Sequence, residues 1–159
     1  MLDLDRHREM LRQCSIAAAL DVVGERWSFL ILRGVFNGLN HFEEFQSTLG
    51  IARNILSNRL ARMVERGILA REPDPSDRRK ISYHLTDKGR DLLPVLISLR
   101  QWGEKWVCEE PSNPVLVDRL TRQPLSEMAP RAADGRVLTL GDMEWVDRAA
   151  IEPARDEAA

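Results

Sequence analysis

The sequence has few of the residues on which disulfide, metal and catalytic sites depend. It contains two cysteines, Cys14 and Cys108, and three histidines among 159 residues. Two cysteines provide neither a disulfide framework nor a C-x-x-C pair for zinc, and thiols stay reduced inside a cell. The histidines, His7, His41 and His84, have no nucleophile or metal-binding partner at a recognisable spacing. We therefore expect no enzyme, no metal and no cofactor.

Long apolar runs are also missing. The longest stretches, such as Phe29–Leu32, are far shorter than the roughly 20 residues that a bilayer requires. The N-terminus, MLDLDRHREMLRQ, lacks the apolar centre of a signal peptide. These absences predict a cytoplasmic protein with no membrane partner, and the length suits one domain with a modest appendage.

The net charge of −2 is unevenly distributed. Residues 51–80 carry eight lysines and arginines against four acids, whereas the rest of the chain has a net charge of −6. A basic patch on an acidic body is typical of a protein that contacts phosphate with one face. Ordinary surface arginines on a solvated helix are the alternative, and the pattern around this segment favours the first interpretation.

The chain before the basic segment predicts three short helices. The first begins after an N-cap at Ser15 and ends at Gly24, the second covers 25–37 and the third covers 41–49. Gly50 tolerates a positive φ and is expected to make the tight turn into a fourth helix.

The fourth predicted helix covers 52–66, within IARNILSNRLARMVERG. Its apolar residues form one stripe, and the opposite face is small and polar. Asn can pair with adenine and Arg with guanine, while small side chains let a helix enter the major groove. A solvent-exposed helix without a binding role would more often carry Glu–Lys pairs four residues apart. We expect the DNA contacts of this helix to come from Arg53, Asn54, Ser57, Asn58, Arg59 and Arg62.

A β-hairpin is predicted next, with strands at ILARE (68–72) and ISYHL (81–85) around a tip at 73–80. The tip contains three adjacent cations, Arg78, Arg79 and Lys80. Three neighbouring cations cannot all have a structural role in one core. We therefore interpret this wing as contacting the flanking DNA backbone or minor groove. The order of elements predicts a winged helix-turn-helix, mainly α with a small β component.

Thr86 is the expected N-cap of one long helix from Asp87 to about Val107. Pro94 lies inside this predicted helix and should lower its stability by about 3 kcal/mol or kink it. Apolar residues spaced three and four apart form a seam of the coiled-coil type, which we expect to pair two subunits; an intrachain core helix is the alternative. The seam residues are Leu92, Val95, Leu99, Trp102 and Trp106.

The remainder of the chain predicts a separate extension. EEPSNP breaks the helix, and VLVDRLTRQPL and RVLTLGDMEWV predict two or three short strands. The last residues, EPARDEAA, are expected to fray. We therefore predict a DNA-binding and dimerisation domain over 1–110 and a short β-rich C-terminal extension over 111–159.

Together these segments resemble the HxlR family of bacterial winged-helix transcriptional regulators. The resemblance is carried by CSIAAALDVVGERWSFLILRGVFNG, HFEEFQSTLGIARNILSNRLARMVERGIL, YHLTDKGRDLLPVL and QWGEKW, within residues 14–106. The wing, DPSDRRK, is more similar to that of the related MarR family. The resemblance implies a homodimer on a pseudo-palindromic operator of double-stranded DNA. A winged-helix protein-interaction module without DNA binding is the alternative, and the basic tip and the polar helix face disfavour it.

Cys14 has two interpretations. Several members of the resembled family use a cysteine at the start of the first helix to sense quinones, aldehydes or oxidants, which implies a redox-sensing Cys14. A helix N-terminus and a nearby arginine, here Arg12, favour the reactive thiolate. A small packing residue is the alternative. The sequence does not identify the effector, which on this resemblance is a small molecule or an electrophile.

Overall fold

The computed structural model describes residues 14–75, 77–110, 112–146 and 151. It divides into two compact units, the first ending at Arg100 and the second beginning at Gln101. The predicted boundary at residue 110 remains a prediction. His7, Arg12 and the expected frayed end at 152–159 lie outside the described residues.

The first unit has the element order of a winged helix-turn-helix. Helices and strands follow one another as α1 (Ser15–Val23), α2 (Arg26–Phe36), α3 (Phe42–Leu49), α4 (Arg53–Glu65), β1 (Leu69–Pro73), β2 (Ile81–Leu85), α5 (Asp87–Arg90) and α6 (Leu93–Trp106), the last of which continues into the second unit. The two strands pair antiparallel, with Leu69 opposite Leu85 and Pro73 opposite Ile81. The predicted mainly helical fold with a small sheet is confirmed.

The core of the first unit is built from α2, α3, α4 and the hairpin. Leu56, Leu60 and Met63 on α4 are buried, as their helical spacing predicts. Burying a Leu or Met side chain stabilises the fold by about 1.5–3 kcal/mol. Since this stripe fixes which side of α4 faces inward, it also fixes which side faces solvent. The buried apolar side chains are Val23, Ile31, Leu32, Phe45, Ile51, Leu56, Leu60, Met63, Ile68 and Leu69.

Helix α1 packs less than its apolar pattern predicts. Only Val23 is buried, and Ile16 and Leu20 are more than half exposed. Its N-cap is Cys14 rather than Ser15, and no side chain caps the helix. Within the part of the chain that the structure describes, α1 therefore presents an apolar face to solvent.

Two glycines occupy positions that other residues fit poorly. Gly50 adopts φ 61° between α3 and α4, which confirms the predicted turn. At Gly89 an added Cβ would lie 2.3 Å from the carbonyl oxygen of Ile68. The Thr86 hydroxyl donates to the Gly67 carbonyl at 2.6 Å and accepts the Gly89 N–H at 3.1 Å. Thr86 is thus the predicted N-cap, and the Leu-Thr-x-x-Gly sequence fixes α5 against the start of β1.

The prediction of a single long helix after Thr86 is wrong. Helix α5 ends at Arg90, and α6 begins at Leu93. Pro94 has no N–H for a helical bond to Arg90, and its ring would clash with that carbonyl group. In the first turn of α6 the missing N–H costs nothing, because groups there have no intrahelical partner. Helix α6 begins instead with the Leu96 N–H donating to the Leu92 carbonyl at 3.0 Å.

The second unit contains the end of α6 and the extension, which was wrongly predicted to be β-rich. Residues 112–146 hold no strand, and their pairing is limited to two isolated β-bridges, Val117–Pro124 and Arg131–Val137. Each bridge is flanked by two backbone hydrogen bonds and extends no further. At the first bridge the Asp118 carboxylate accepts the N–H groups of Leu120 and Thr121, which closes a turn directly after the bridged segment. A short 3-10 helix covers Leu140–Asp142.

The extension is fastened to α6 by polar side chains. The Gln101 amide donates to the Ser126 carbonyl at 2.9 Å and accepts the Met128 N–H at 2.8 Å. Lys105 pairs with Glu127 at 3.2 Å. Among the described residues, no helix is long and apolar enough to cross a membrane.

Candidate nucleic-acid interface

The face of α4 opposite the core is small, polar and open to solvent. Asn54, Ser57, Asn58 and Ala61 are all exposed. The two asparagines are four residues apart, so they lie on the same side of the helix. In the described part of the chain, no hydrogen bond occupies the three polar side chains. The structure thus brings the predicted base-reading residues together, and their donors and acceptors remain available.

The start of α4 has free backbone N–H groups and a fixed arginine. Its N-cap is Ala52, no side chain caps the helix, and its first turn holds no acidic residue. An alanine at the N-cap stabilises a helix by about 1 kcal/mol less than Ser or Asp would. Arg53 lies over the ring of Phe42, with its guanidinium carbon 4.8 Å from the ring centroid. An uncapped, positively polarised helix start suits a phosphate group.

Arg59 and Arg62 lie beside α2 and share one carboxylate. The Arg59 guanidinium pairs with Glu25, its side chain is only 16% exposed, and its Nε is buried with no partner among the described residues. Arg62 is 3.4 Å from Glu25 but remains about half exposed. Arg59 was expected to contact DNA, yet its contact in the structure is with Glu25, which therefore ties α4 to α2.

The three predicted wing cations differ in their partners. Arg79 binds Asp77 with two nitrogens, at 3.0 and 3.2 Å. Through this side-chain bond and its backbone N–H, Arg79 holds the pKa of Asp77 below its usual value, and Asp77 raises the pKa of Arg79. Both groups therefore stay charged at neutral pH. Within the described residues, no carboxylate pairs with Arg78 or Lys80.

The other predicted functional residues belong to α1 and to the region around α6. Cys14 is half-buried at the N-cap of α1, and Cys108 is exposed. Leu92 packs against the core of the first unit. The other four seam residues have exposed fractions of 48, 50, 58 and 68%, for Val95, Leu99, Trp102 and Trp106 respectively.

Three contacts around these sites were not found from the sequence, namely those made by Glu25, Asp74 and Asp77. Asp77 lies two residues before Arg79, so local charge pairing could have indicated that bond. Glu25 and Asp74 bond to partners 34 and 33 residues away, Arg59 and His41. No short-range spacing signals contacts at such separations.

Comparison with known proteins agrees with this architecture. The family model of the HxlR-like helix-turn-helix matches residues 22–111. MT3179 of Mycobacterium tuberculosis (strain CDC 1551 / Oshkosh), described as an uncharacterised HTH-type transcriptional regulator, is 42% identical over 101 residues. That match covers 64% of this chain and 64% of MT3179, so the matched segment spans less than two thirds of its relative.

Two solved structures extend the comparison. The crystal structure of PA1607 is 42% identical, with a TM-score of 0.80, and the match covers 89% of this chain and 99% of that one. The redox regulator HypR, in its reduced form, is 28% identical, with a TM-score of 0.52, over 58% of this chain and 92% of its own. Since the family model covers more than half of the sequence and the fold agrees with it, this protein belongs to the HxlR-like helix-turn-helix family of transcriptional regulators.

Proposed function

We propose that this protein is a homodimeric regulator that binds a pseudo-palindromic operator with α4 in the major groove. In this proposal the wing tip, residues 73–80, contacts the flanking backbone or the minor groove. The observation that carries the proposal is that two surfaces with different chemistry occur on one unit. A polar helix face with unoccupied hydrogen-bonding groups suits base edges, and a cationic loop suits phosphates.

Base reading is assigned to the first two turns of α4. In helix-turn-helix proteins the N-terminal residues of the recognition helix contact base edges. Asn54, Ser57 and Asn58 lie in this part of α4, and Ala61 leaves room for the helix to enter the groove. Arg53 is held at the helix start by Phe42, from where it can reach a guanine or a phosphate.

Phosphate contact is assigned to the exposed cations. Arg78 and Lys80 have no carboxylate partner among the described residues, and Arg79 is presented by Asp77 in a fixed geometry. Arg62 keeps about half of its side chain exposed beside Glu25. Arg59 is mostly buried, and we assign it the role of orienting α4 through Glu25 rather than a direct DNA contact.

Dimerisation is assigned to the exposed apolar faces of α6 and α1. Val95, Leu99, Trp102 and Trp106 recur at spacings of three and four, and α6 has no buried residue. Ile16 and Leu20 of α1 are likewise exposed. Contiguous apolar faces of this kind mark interaction surfaces in soluble proteins. A two-fold pair would place the α4 helices about 34 Å apart, one helical turn of DNA.

The test measures binding of the full chain to DNA upstream of its own gene and to random DNA of equal length, over a range of salt concentrations. Replacing Arg78, Arg79 and Lys80 with alanine should flatten the slope of log affinity against log salt by about 0.9 for each phosphate that the wing no longer neutralises. Arg119→Ala, which removes one charge from the extension, is the control and should leave the slope unchanged. An unchanged slope in the triple variant would show that the wing does not bind phosphate. Absence of any DNA binding by the wild type would favour a protein-interaction module.

The similarity to HypR supports a redox response that begins at Cys14. In the proposed reaction two Cys14 thiols, one from each subunit, give two electrons and two protons to an oxidant such as diamide and form one disulfide. Such a bond requires the two Cα atoms to approach within about 7 Å. Because α1 would lie in the dimer interface, a bond there would change the spacing of the two recognition helices.

We expect diamide to weaken operator binding by the wild type and to leave Cys14→Ser unaffected. Non-reducing electrophoresis should show a covalent dimer in the wild type and none in Cys14→Ser. Cys108→Ser is the matched control, since it removes the other thiol and should respond like the wild type. Equal responses of the wild type and Cys14→Ser would assign Cys14 to packing.

A further inference from the structure

We propose that His41 and Asp74 form a strut that holds the wing tip against the start of α3, which makes His41 a positioning residue for DNA binding. The part of this inference that concerns DNA rests on the proposed function. The part that concerns the position of the tip rests on contacts within the first unit alone.

The strut is a short hydrogen bond between side chains that are distant in sequence. His41 Nε2 lies 2.8 Å from Asp74 Oδ2. Asp74 is only 8% exposed, although it is the first residue after β1 at the edge of an exposed loop. A buried carboxylate requires hydrogen-bond donors, because burying it without them would cost several kcal/mol. The imidazole N–H of His41 supplies one of these donors.

Asp74 also organises the tip itself. Its Oδ1 accepts the Asp77 N–H at 3.1 Å, and its own N–H donates to the Lys80 carbonyl at 2.9 Å. The Lys80 N–H in turn donates to the Asp77 carbonyl at 2.8 Å. One oxygen of Asp74 therefore closes the loop that carries the wing cations, and the other oxygen attaches this loop to α3.

Among the described residues, the backbone connects the start of α3 to the hairpin through β2 and not through the cationic tip. The Tyr83 N–H donates to the Asn40 carbonyl at 2.8 Å, and His41 forms an isolated bridge with Ser82. The ladder between β1 and β2 ends at Pro73–Ile81, so the cations at 78–80 lie beyond it. The His41–Asp74 bond is thus placed where the regular sheet ends and the cationic loop begins.

Glu44 fixes the other side of His41. Its Oε2 accepts the N–H groups of Asn40 and His41 at 2.9 and 3.0 Å, and these two bonds hold the pKa of Glu44 below its usual value. Its Oε1 lies 3.6 Å from His41 Nδ1. The ring therefore lies between the carboxylates of Glu44 and Asp74, with its backbone held by the first and its Nε2 aimed at the second.

The experiment compares His41→Ala, His41→Gln and Asp74→Asn with the wild type by limited trypsin digestion without DNA. Trypsin cuts after lysine and arginine, so Arg78, Arg79 and Lys80 report directly on the exposure of the tip. Losing one hydrogen bond to a charged acceptor corresponds to about a tenfold rise in the open population, and cleavage should increase by that factor in His41→Ala. We expect His41→Gln, which keeps an N–H donor, to recover most of the protection. His84→Ala is the control, because His84 bonds to Ser82 in the same hairpin without contacting the tip.

A second readout is DNA binding by the same variants. His41→Ala should flatten the salt dependence and weaken operator and random DNA alike, since α4 keeps its base contacts. If His41→Ala showed the same cleavage rate and the same salt slope as His84→Ala, the strut would be overturned. If His41→Ala fails to fold, as judged by its circular dichroism spectrum, the same comparison is made with Asp74→Asn. If the wild type binds no DNA, the proposed function fails while the trypsin comparison still tests the strut.

Discussion

Leu99→Asp should convert the protein to monomers and lower its affinity for the operator by at least about a hundredfold. Leu99 is half exposed in the single chain, at the centre of the α6 face. In a dimer the new carboxylate would be buried without a partner in both subunits, at a cost of several kcal/mol per ion. A monomer contacts only one half-site, so most of the operator affinity disappears with the interface. Sedimentation velocity gives the mass, and a DNA titration gives the affinity.

Leu93→Asp is the matched control for this experiment. It makes the same chemical change on α6 at an exposed residue, but six positions before Leu99, which places it about 120° around the helix from Leu99 and outside the row of seam residues. We expect Leu93→Asp to remain dimeric and to bind the operator like the wild type. If folded Leu99→Asp sedimented as a dimer, the interface would have to lie outside this face, in α1 or in the extension.

Asn58→Ala should weaken operator binding by about 1–3 kcal/mol, which is roughly 5- to 150-fold, while leaving the affinity for random DNA nearly unchanged. Asn58 is exposed in the second turn of α4, and its amide can donate to one atom of adenine and accept from another. Random DNA is held by phosphate contacts, to which a neutral amide contributes little. The specificity ratio, measured by titrating both DNAs at one salt concentration, is therefore the quantity that should fall.

Arg53→Ala and Asn37→Ala complete this comparison. Arg53 carries a charge at the helix start, so its loss should reduce both the specificity ratio and the salt slope. Asn37 is an exposed asparagine at the C-terminal end of α2, outside α4, and its replacement should change neither. An operator preference equal to that of the wild type in Asn58→Ala and Arg53→Ala would remove α4 from base recognition.

Much of the first unit could be predicted because its signals are local. The buried stripe of α4 follows from helical periodicity, and the polar face follows from the stripe. Gly50 and Thr86 indicate a turn and a helix start by their own backbone chemistry. These features depend on residues within a few positions of each other, so the sequence displays them directly.

Predictions were wrong where the apolar pattern indicated one element and the backbone hydrogen bonds formed another. The apolar spacing after Thr86 continues through Pro94, but a helix cannot, because proline lacks the donor that the helix needs. In the extension, alternating apolar residues predicted strands, yet the Asp118 carboxylate accepts the N–H groups of Leu120 and Thr121 and closes a turn there.

The sequence by itself determined the order of elements from α1 to β2, the buried side of α4 and the concentration of positive charge over residues 51–80. Only the tertiary structure decided how individual charged groups are used. It paired Arg59 with Glu25 and His41 with Asp74, left Arg78 and Lys80 without a carboxylate partner among the described residues, and exposed the apolar face of α6. The physical reason is that periodicity and turn chemistry act over a few residues, whereas a salt bridge or a strut forms only after folding brings distant side chains together.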